Sequence, residues 1–341
     1  MVQRLREQGD DSFNQGGWRV ERVRMGMNNA LYRVEGEGQV FAVKLCVDDE
    51  RRRAQREYAA LRLLWQAGAD IAPQPLGLDE SAAILPYPAV VYRWLPGEPL
   101  SEELSGGKLP GRKLAALLET VQLVHRIEPA GFENQEEAGL PEAWFHWFER
   151  QPYLEELNGF LEQYRSWLCE NIAKGEAICA RLERIVTACT RAVNDSSAKI
   201  NRGSVPLRLC HVDPNPANLI WSEDGRLRWV DWEYSGWGDP ALDLADFRWH
   251  QALSFIGPEQ AAWMRAHYQP PLGDDGFAQR LRLWDTLLAA RWPFLLLRWL
   301  WSLQNGPDRE RLSMPQAQAT EVYQQMVRLI ERAEGFYQSV V

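Results

Sequence analysis

The sequence predicts a bilobal α+β fold, with a small β-rich N-terminal lobe over residues 1–95 and a larger, mainly helical C-terminal lobe over 96–341. Three observations carry this. The 341 residues leave room for two lobes. Short apolar runs bounded by turn residues fill the first part, with one helical pattern among them. After Gly97 helical periodicity takes over, interrupted by one small hairpin.

Taken in order, Trp18–Met25, Leu31–Val34 and Val40–Leu45 read as strands, and Glu35–Gln39 is a Gly-bearing turn joining the last two. The stretch Asp48–Gln66 reads as a helix, with Ala54, Tyr58, Leu61 and Trp65 at helical spacing and Asp48 or Asp49 as its cap. Pro73 and Pro75 break the pattern before strands near Leu76–Leu78 and Ala89–Trp94, which Leu95-Pro96-Gly97 ends in a turn. Lys113–Arg126 is an amphipathic helix. An aromatic-rich insert over about 135–200 follows, with a helix at Glu170–Val193 and a polar loop from Asn194. Leu207–Cys210, Leu219–Trp221 and Leu227–Val230 are short strands, the last two joined by the turn Ser222–Gly225. From Asp239 onward the pattern is helical, broken near Pro270–Gly276 and Gly306–Asp308.

Composition excludes several classes. Hydrophobic residues at 45% and charged residues at 25% are globular values, far from disorder. A net charge of −9 argues against a nucleic-acid partner, because a phosphate backbone wants a basic face. The five cysteines show no C-x-x-C spacing and no histidine pairs nearby, which argues against zinc and fits reduced thiols in a cytoplasmic protein. The N-terminus has no apolar core of a signal peptide. The longest apolar run, Trp292–Leu303, is too short for a membrane span and contains Arg298; it reads as a buried helix, so no membrane is expected.

The sharpest chemical signal is His211-Val212-Asp213-Pro214-Asn215-Pro216-Ala217-Asn218, followed by the hairpin and then Asp231-Trp232-Glu233. Phosphoryl transfer needs an acceptor hydroxyl oriented and relieved of its proton, and Mg²⁺ held against the phosphates. An aspartate and an asparagine five positions later can serve both needs from one loop. The hairpin would return Asp231, another hard oxygen ligand, beside Asn218. The bland alternative is a chance match, since Asp-Pro and Asn-Pro form turns anywhere. The run of strand, loop, strand, turn, strand and aspartate weighs against it.

These residues resemble the H-x-D-x-x-x-x-N motif of the aminoglycoside phosphotransferase and choline kinase superfamily, whose fold is protein-kinase-like. Gly238-Asp239-Pro240-Ala241-Leu242-Asp243-Leu244-Ala245 matches its G-D-P-x-x-D-L-A motif. The resemblance runs from the first strand to the helix after Asp239 and is weakest at 130–205 and beyond 255. It implies ATP and Mg²⁺ as cofactors, Asp213 as the catalytic base or hydroxyl-orienting residue, and Asn218 and Asp231 as metal ligands. His211 resembles the histidine that steadies the catalytic loop. Asp239 and Pro240 also read as an ordinary helix start, and Asp243 one turn on as a brace for that loop.

The N-terminal lobe would supply the nucleotide half. Phe41-Ala42-Val43-Lys44 resembles the V-A-I-K strand of protein kinases, which places Lys44 on the α- and β-phosphates and makes Glu57 its ion-pair partner. The turn Met25–Ala30 departs from G-x-G-x-x-G but resembles the shorter G-x-x-N loop of small-molecule kinases, so Gly26, Asn28 and Asn29 would contact phosphate. Val90–Gly97 resembles the hinge whose backbone would bind adenine, with Tyr92 and Trp94 within it as candidate contacts, although Arg93 stands where many relatives carry an acid.

The acceptor is expected from the helical lobe, against 135–170 and 245–305. Sixteen tryptophans, with Glu233, Trp237 and Asp246 among the candidate contacts and Asp231-Trp232-Glu233-Tyr234 looking like the D-W-E-Y of choline and thiamine kinases, suit a cationic amino alcohol or an aminoglycoside-like alcohol. The alternative is that most of these indoles pack helices. A small-molecule hydroxyl is therefore the expected partner. A protein kinase is the rival reading, but no A-P-E segment follows Asp231 and Gly238 leaves no room for a long activation loop. A catalytically silent nucleotide-binding module is the other rival. The intact Asp213, Asn218, Asp231 and Lys44 argue against it.

Overall fold

The computed structural model describes residues 12–24, 28–103, 108–129, 140–144, 150–195, 205–253, 256–306, 311–313 and 317–340. The expected bilobal architecture is present. Strands β1 (Ser12–Gln15), β2 (Trp18–Val23), β3 (Ala30–Gly36), β4 (Gln39–Leu45), β5 (Pro75–Asp79) and β6 (Ala89–Arg93) form one antiparallel sheet in the order β1-β2-β3-β4-β6-β5. β1 is an addition to the expected strands. Its turn, Gly16-Gly17, has positive φ at both residues, as a two-residue hairpin between right-twisted strands requires.

Period-2 alternation decides what each face does. Val43 and Leu45 of β4 join Ala30, Tyr32 and Val34 of β3 in an outer apolar cluster. Ala42 and Lys44 therefore face the other way, toward helix α1 (Arg53–Gln66). That helix begins at Arg53, later than expected. Asp49 accepts the Arg51 N–H at 3.1 Å and the Arg53 guanidinium, so it makes a turn ahead of the helix instead of capping it. Its buried stripe is Ala54, Glu57, Ala60, Leu61 and Leu64, while Trp65 lies exposed. A glutamate holds a core position of this helix because its charge is taken up by Lys44.

The chain crosses between lobes at Trp94–Gly97. β7 (Glu98–Pro99) then joins β9 (Leu219–Trp221) and β10 (Leu227–Trp229) in a three-stranded sheet. The approach is so close that a Cβ on Gly97 would meet the Trp221 carbonyl oxygen at 2.5 Å. After the short helix α2 (Leu100–Glu103) come α3 (Gly111–Val124), α4 (Arg150–Asn171) and α5 (Gly175–Asp195). β8 (Arg208–Cys210) pairs with β11 (Gly236–Gly238). A Cβ on Gly236 would strike the backbone of residues 141–143, which explains a glycine there. Helices α6 (Pro240–Trp249), α7 (Pro258–His267), α8 (Phe277–Asn305) and α9 (Ala319–Val340) complete the lobe. Its core is continuous with the inner face of the N-terminal lobe. Among the described residues no helix is long and apolar enough to cross a membrane.

The lobes meet at a second place. Leu312 donates its N–H to the Asn28 carbonyl at 2.6 Å and accepts from the Arg22 guanidinium at 2.6 Å, so residues after α8 reach back to the β2–β3 end of the sheet.

Candidate active site

The loop at 211–218 is held from below. Asp239 caps α6, accepting from Ala241 N at 2.9 Å, with Pro240 in the first turn. One turn on, Asp243 accepts the N–H groups of His211 at 2.8 Å and Val212 at 2.9 Å. Val212 needs that support, because a β-branched residue stands at φ +63. His211 is fully buried, stacked on Trp229 at 4.1 Å, with Nε2 donating to the Val230 carbonyl at 3.0 Å. Burial pushes its imidazole down to about 4, against the pull of Asp213 and Asp243, so it is a neutral spacer between two loops. The bracing role expected for His211, Asp239 and Asp243 matches these contacts.

Asp213 lies at the cleft. Its Oδ2 accepts from Asn218 Nδ2 at 3.0 Å, and its Oδ1 from the Asn215 N–H at 3.3 Å. Burial works to raise its carboxyl, but His250, His211 and the Asn215 N–H outweigh that and hold it below the ordinary carboxylate value. It is an ionised acceptor at neutral pH.

Across the cleft, Lys44 Nζ meets Glu57 Oε2 at 2.5 Å and Asp231 Oδ1 at 2.6 Å, with Glu233 Oε2 at 3.8 Å. Burial opposes charge on Lys44, yet these carboxylates hold its ammonium well above the ordinary value. Asp231, at φ +65, is pushed up to about 7 by burial and by Glu233, Glu57 and Asp213, against Lys44. The two partners thus pull in opposite senses. Three carboxylates around one ammonium keep Lys44 charged, while burial first and the neighbouring carboxylates second lift Asp231. Glu233 is stabilised as an anion by Lys44 and Arg53, the latter at 2.7 Å, and it also accepts from Asn29. Glu233 is therefore a pillar of the lysine cluster as well as a residue of the cleft lining.

This surplus fits Mg²⁺. Asn218 spends its amide N–H₂ on Asp213, which turns its carbonyl oxygen away, and Asp231 offers a carboxylate beside it. Hard oxygens with uncompensated negative charge are the donor set a magnesium ion takes.

A cleft of about 640 Å³ brings together Asn28, Asn29, Lys44, Asp213, Asn218 and Asp231. Tyr92, Glu233 and Asp246 also line it. Trp94 and Trp237 do not. The Trp94 N–H is taken by the Val40 carbonyl at 3.1 Å and its ring carries the Arg33 guanidinium, while the Trp237 backbone is spent pairing β11 with β8 and residues 141–143. Gly26 lies outside the described residues. Of the candidate tryptophans, Trp144, Trp292 and Trp299 reach the cleft, whereas Trp249 and Trp284 are core residues bonded to Asp285 and Asp239. The wall is not uniformly acidic as expected, since Arg51, Arg291 and Arg298 share it with Asp246 and Glu156.

Two histidines went unread in the sequence. His250 meets Asp213 Oδ1 at 3.3 Å. It stands five positions after the last motif residue, and only its proximity to the loop in space identifies it. His125 of α3 bridges Tyr268 at 2.8 Å and Asp243 at 3.2 Å. With Cys210 these ligand-type atoms lie within 4.8 Å of one another. Asp243 already spends both oxygens on loop N–H groups, so the trio is a buried brace.

The model of the phosphotransferase enzyme family matches residues 19–280. Protein LicA of Haemophilus influenzae is 49% identical over 47 residues, 14% of this chain and 17% of LicA. Among solved structures, spectinomycin phosphotransferase APH(9)-Ia, in complex with ADP and spectinomycin, superposes with a TM-score of 0.64 at 12% identity, covering 98% of each chain. The Plasmodium vivax ethanolamine kinase gives 0.58 at 15% identity, over 95% of this chain and 85% of that one. The shared fold is the protein-kinase-like one.

Proposed function

Because the chain belongs to the phosphotransferase enzyme family, we propose that it moves the γ-phosphoryl group of ATP onto a hydroxyl of a small molecule. The supporting observation is the meeting of Lys44, Asp213, Asn218 and Asp231 in one cleft although they lie far apart in sequence. Asp213 accepts the proton of the acceptor hydroxyl as its oxygen bonds to the γ-phosphorus. The bond from that phosphorus to the bridging oxygen breaks, and ADP leaves. Lys44 holds the α- and β-phosphates, with Glu57 fixing its direction. Asn218 and Asp231 would hold Mg²⁺, which supplies charge neutralisation of the phosphates when bound. Asn28 and Asn29, buried where they line the cleft, would contact phosphate oxygens.

The acceptor we propose is an amine-bearing small alcohol, placed against Asp246, Glu156 and the indoles of Trp144, Trp292 and Trp299. Asp246 is 1% exposed, its Oδ1 meets no partner, and burial raises its carboxyl. An ATP-consumption assay across amino alcohols, sugars and aminoglycosides tests the reading. ADP release that depends on one acceptor class is expected. ATP binding with no turnover on any of them would overturn it in favour of a silent nucleotide-binding module.

A further inference from the structure

We propose that His250 is a positioning residue for Asp213, setting which carboxylate oxygen takes the acceptor's proton. The proposal rests on the phosphotransfer reading above. His250 ends α6, its N–H bonded to the Asp246 carbonyl at 2.8 Å, and its ring is buried. The Ala252 N–H donates to Nδ1 at 3.2 Å, which fixes the tautomer whose proton sits on Nε2. That Nε2 lies 3.3 Å from Asp213 Oδ1. The ring plane is held edge-on against Trp292, centroids 4.3 Å apart at 72°.

Three donors then meet one carboxylate. His250 and the Asn215 N–H converge on Oδ1, and the Asn218 amide takes one side of Oδ2. A carboxylate has about four lone-pair sites. Oδ1 is filled and Oδ2 keeps one open, so the geometry selects Oδ2 as the atom that receives the hydroxyl proton. Without the imidazole, the carboxylate could turn and offer either oxygen, losing the alignment that in-line transfer needs. His250 also connects Asp213 to the acceptor wall, because Trp292 lines the same cleft.

Two substitutions in the full chain separate positioning from packing. His250→Phe keeps a ring against Trp292 but has no donor; His250→Gln keeps an N–H at similar reach. We expect the Phe variant to lose about a hundredfold in kcat with little change in KM for ATP, and the Gln variant to regain most of it. In an Asp213→Asn background the Phe change should cost nothing further. A Phe variant turning over at the parental rate, or Phe and Gln variants equally impaired, would overturn the proposal. Side-chain ¹⁵N NMR of the full chain gives a readout apart from turnover. It should show His250 protonated on Nε2, with a resonance that moves in Asp213→Asn. A proton on Nδ1 would refute the positioning geometry. The expected tautomer in a chain that phosphorylates nothing would uphold that geometry and refute the phosphotransfer reading instead.

Discussion

Lys44 and Asp231 stand 2.6 Å apart although 187 positions separate them, and this single contact ties the sheet of one lobe to the loop that follows the hairpin of the other. Lys44 also answers Glu57 and Glu233, so its ammonium is the hub of a buried cluster with more negative than positive charge.

Removing that hub should hurt stability as well as catalysis. Lys44→Met leaves Glu57 and Asp231 without the cation between them, although Arg53 still answers Glu233. A loss of about 3–5 kcal/mol is expected, reduced to the extent that one of them takes up a proton. Urea denaturation read by far-ultraviolet circular dichroism measures it. A variant as stable as the parent would show that the cluster is not held by the lysine.

Asp213→Asn keeps the shape of the loop and removes the proton acceptor. The expected loss in kcat is about 10²–10⁴ with the melting temperature nearly unchanged. Steady-state kinetics on the acceptor found by the ATP-consumption assay decides it. Full activity would remove Asp213 from the reaction.

Magnesium affinity should depend on pH through Asp231. Its carboxyl sits near 7, and a metal ion binds the deprotonated form, so affinity rises as pH rises through about 7. Below that, each pH unit should weaken binding by about tenfold, because a proton must leave first. Calorimetric titration of Mg²⁺ into the ATP complex at pH 6, 7 and 8 reads the slope, and Asp231→Asn should flatten it.

His211 predicts acid sensitivity of the fold. The unfolded imidazole protonates below 6.5, whereas the buried ring resists until about 4. The unfolded state therefore binds more protons between those values, and stability falls as pH drops through the interval, by about 3 kcal/mol in all. Thermal melts from pH 7 to 4 should decline less steeply in His211→Asn than in the parent, even though the variant starts lower.

Arg280 is the clamp under the loop. Its guanidinium bonds Asp239 at 2.8 Å and Asp274 at 2.6 Å, and Trp284 donates to Asp239 at 2.9 Å. Arg280→Ala strands two buried carboxylates and should cost about 3–5 kcal/mol. Because Asp239 caps the helix that carries Asp243, kcat should fall too. A stable, fully active variant would count against the brace.

Much of this was legible in the sequence because it is local. The H-x-D-x-x-x-x-N spacing, the Asp239-Pro240 helix start and the Gly-bearing turn at 35–39 each depend on near neighbours, and each appears in place. Lys44 and Glu57 were readable from element order. What failed was long-range. Of the helix stripe expected at Ala54, Tyr58, Leu61 and Trp65, Ala54 and Leu61 are buried, but Trp65 is exposed and Glu57 takes a core place, because a charge 13 positions away rewards burial of a glutamate. The ion pairs of Glu233 with Arg53 and Lys44 join residues 180 and 189 positions apart, which no local pattern announces. The Gln15-Gly16-Gly17-Trp18 turn was a readable hairpin signal that the strand expectations passed over. His250 carries no local signal, since its partner arrives from 37 positions earlier.

The bonds from Leu312 to Asn28 and Arg22 add a latch to the covalent crossing and to the Lys44–Asp231 and Arg53–Glu233 pairs that already join the two halves. A swing of one half about the crossing has to part those bonds first. A stretch of backbone that carries none of the proposed catalytic side chains, yet bonds directly to Asn28 of the cleft, would then bear on how readily the mouth opens. Changes in that stretch should alter turnover while leaving the chemistry itself intact.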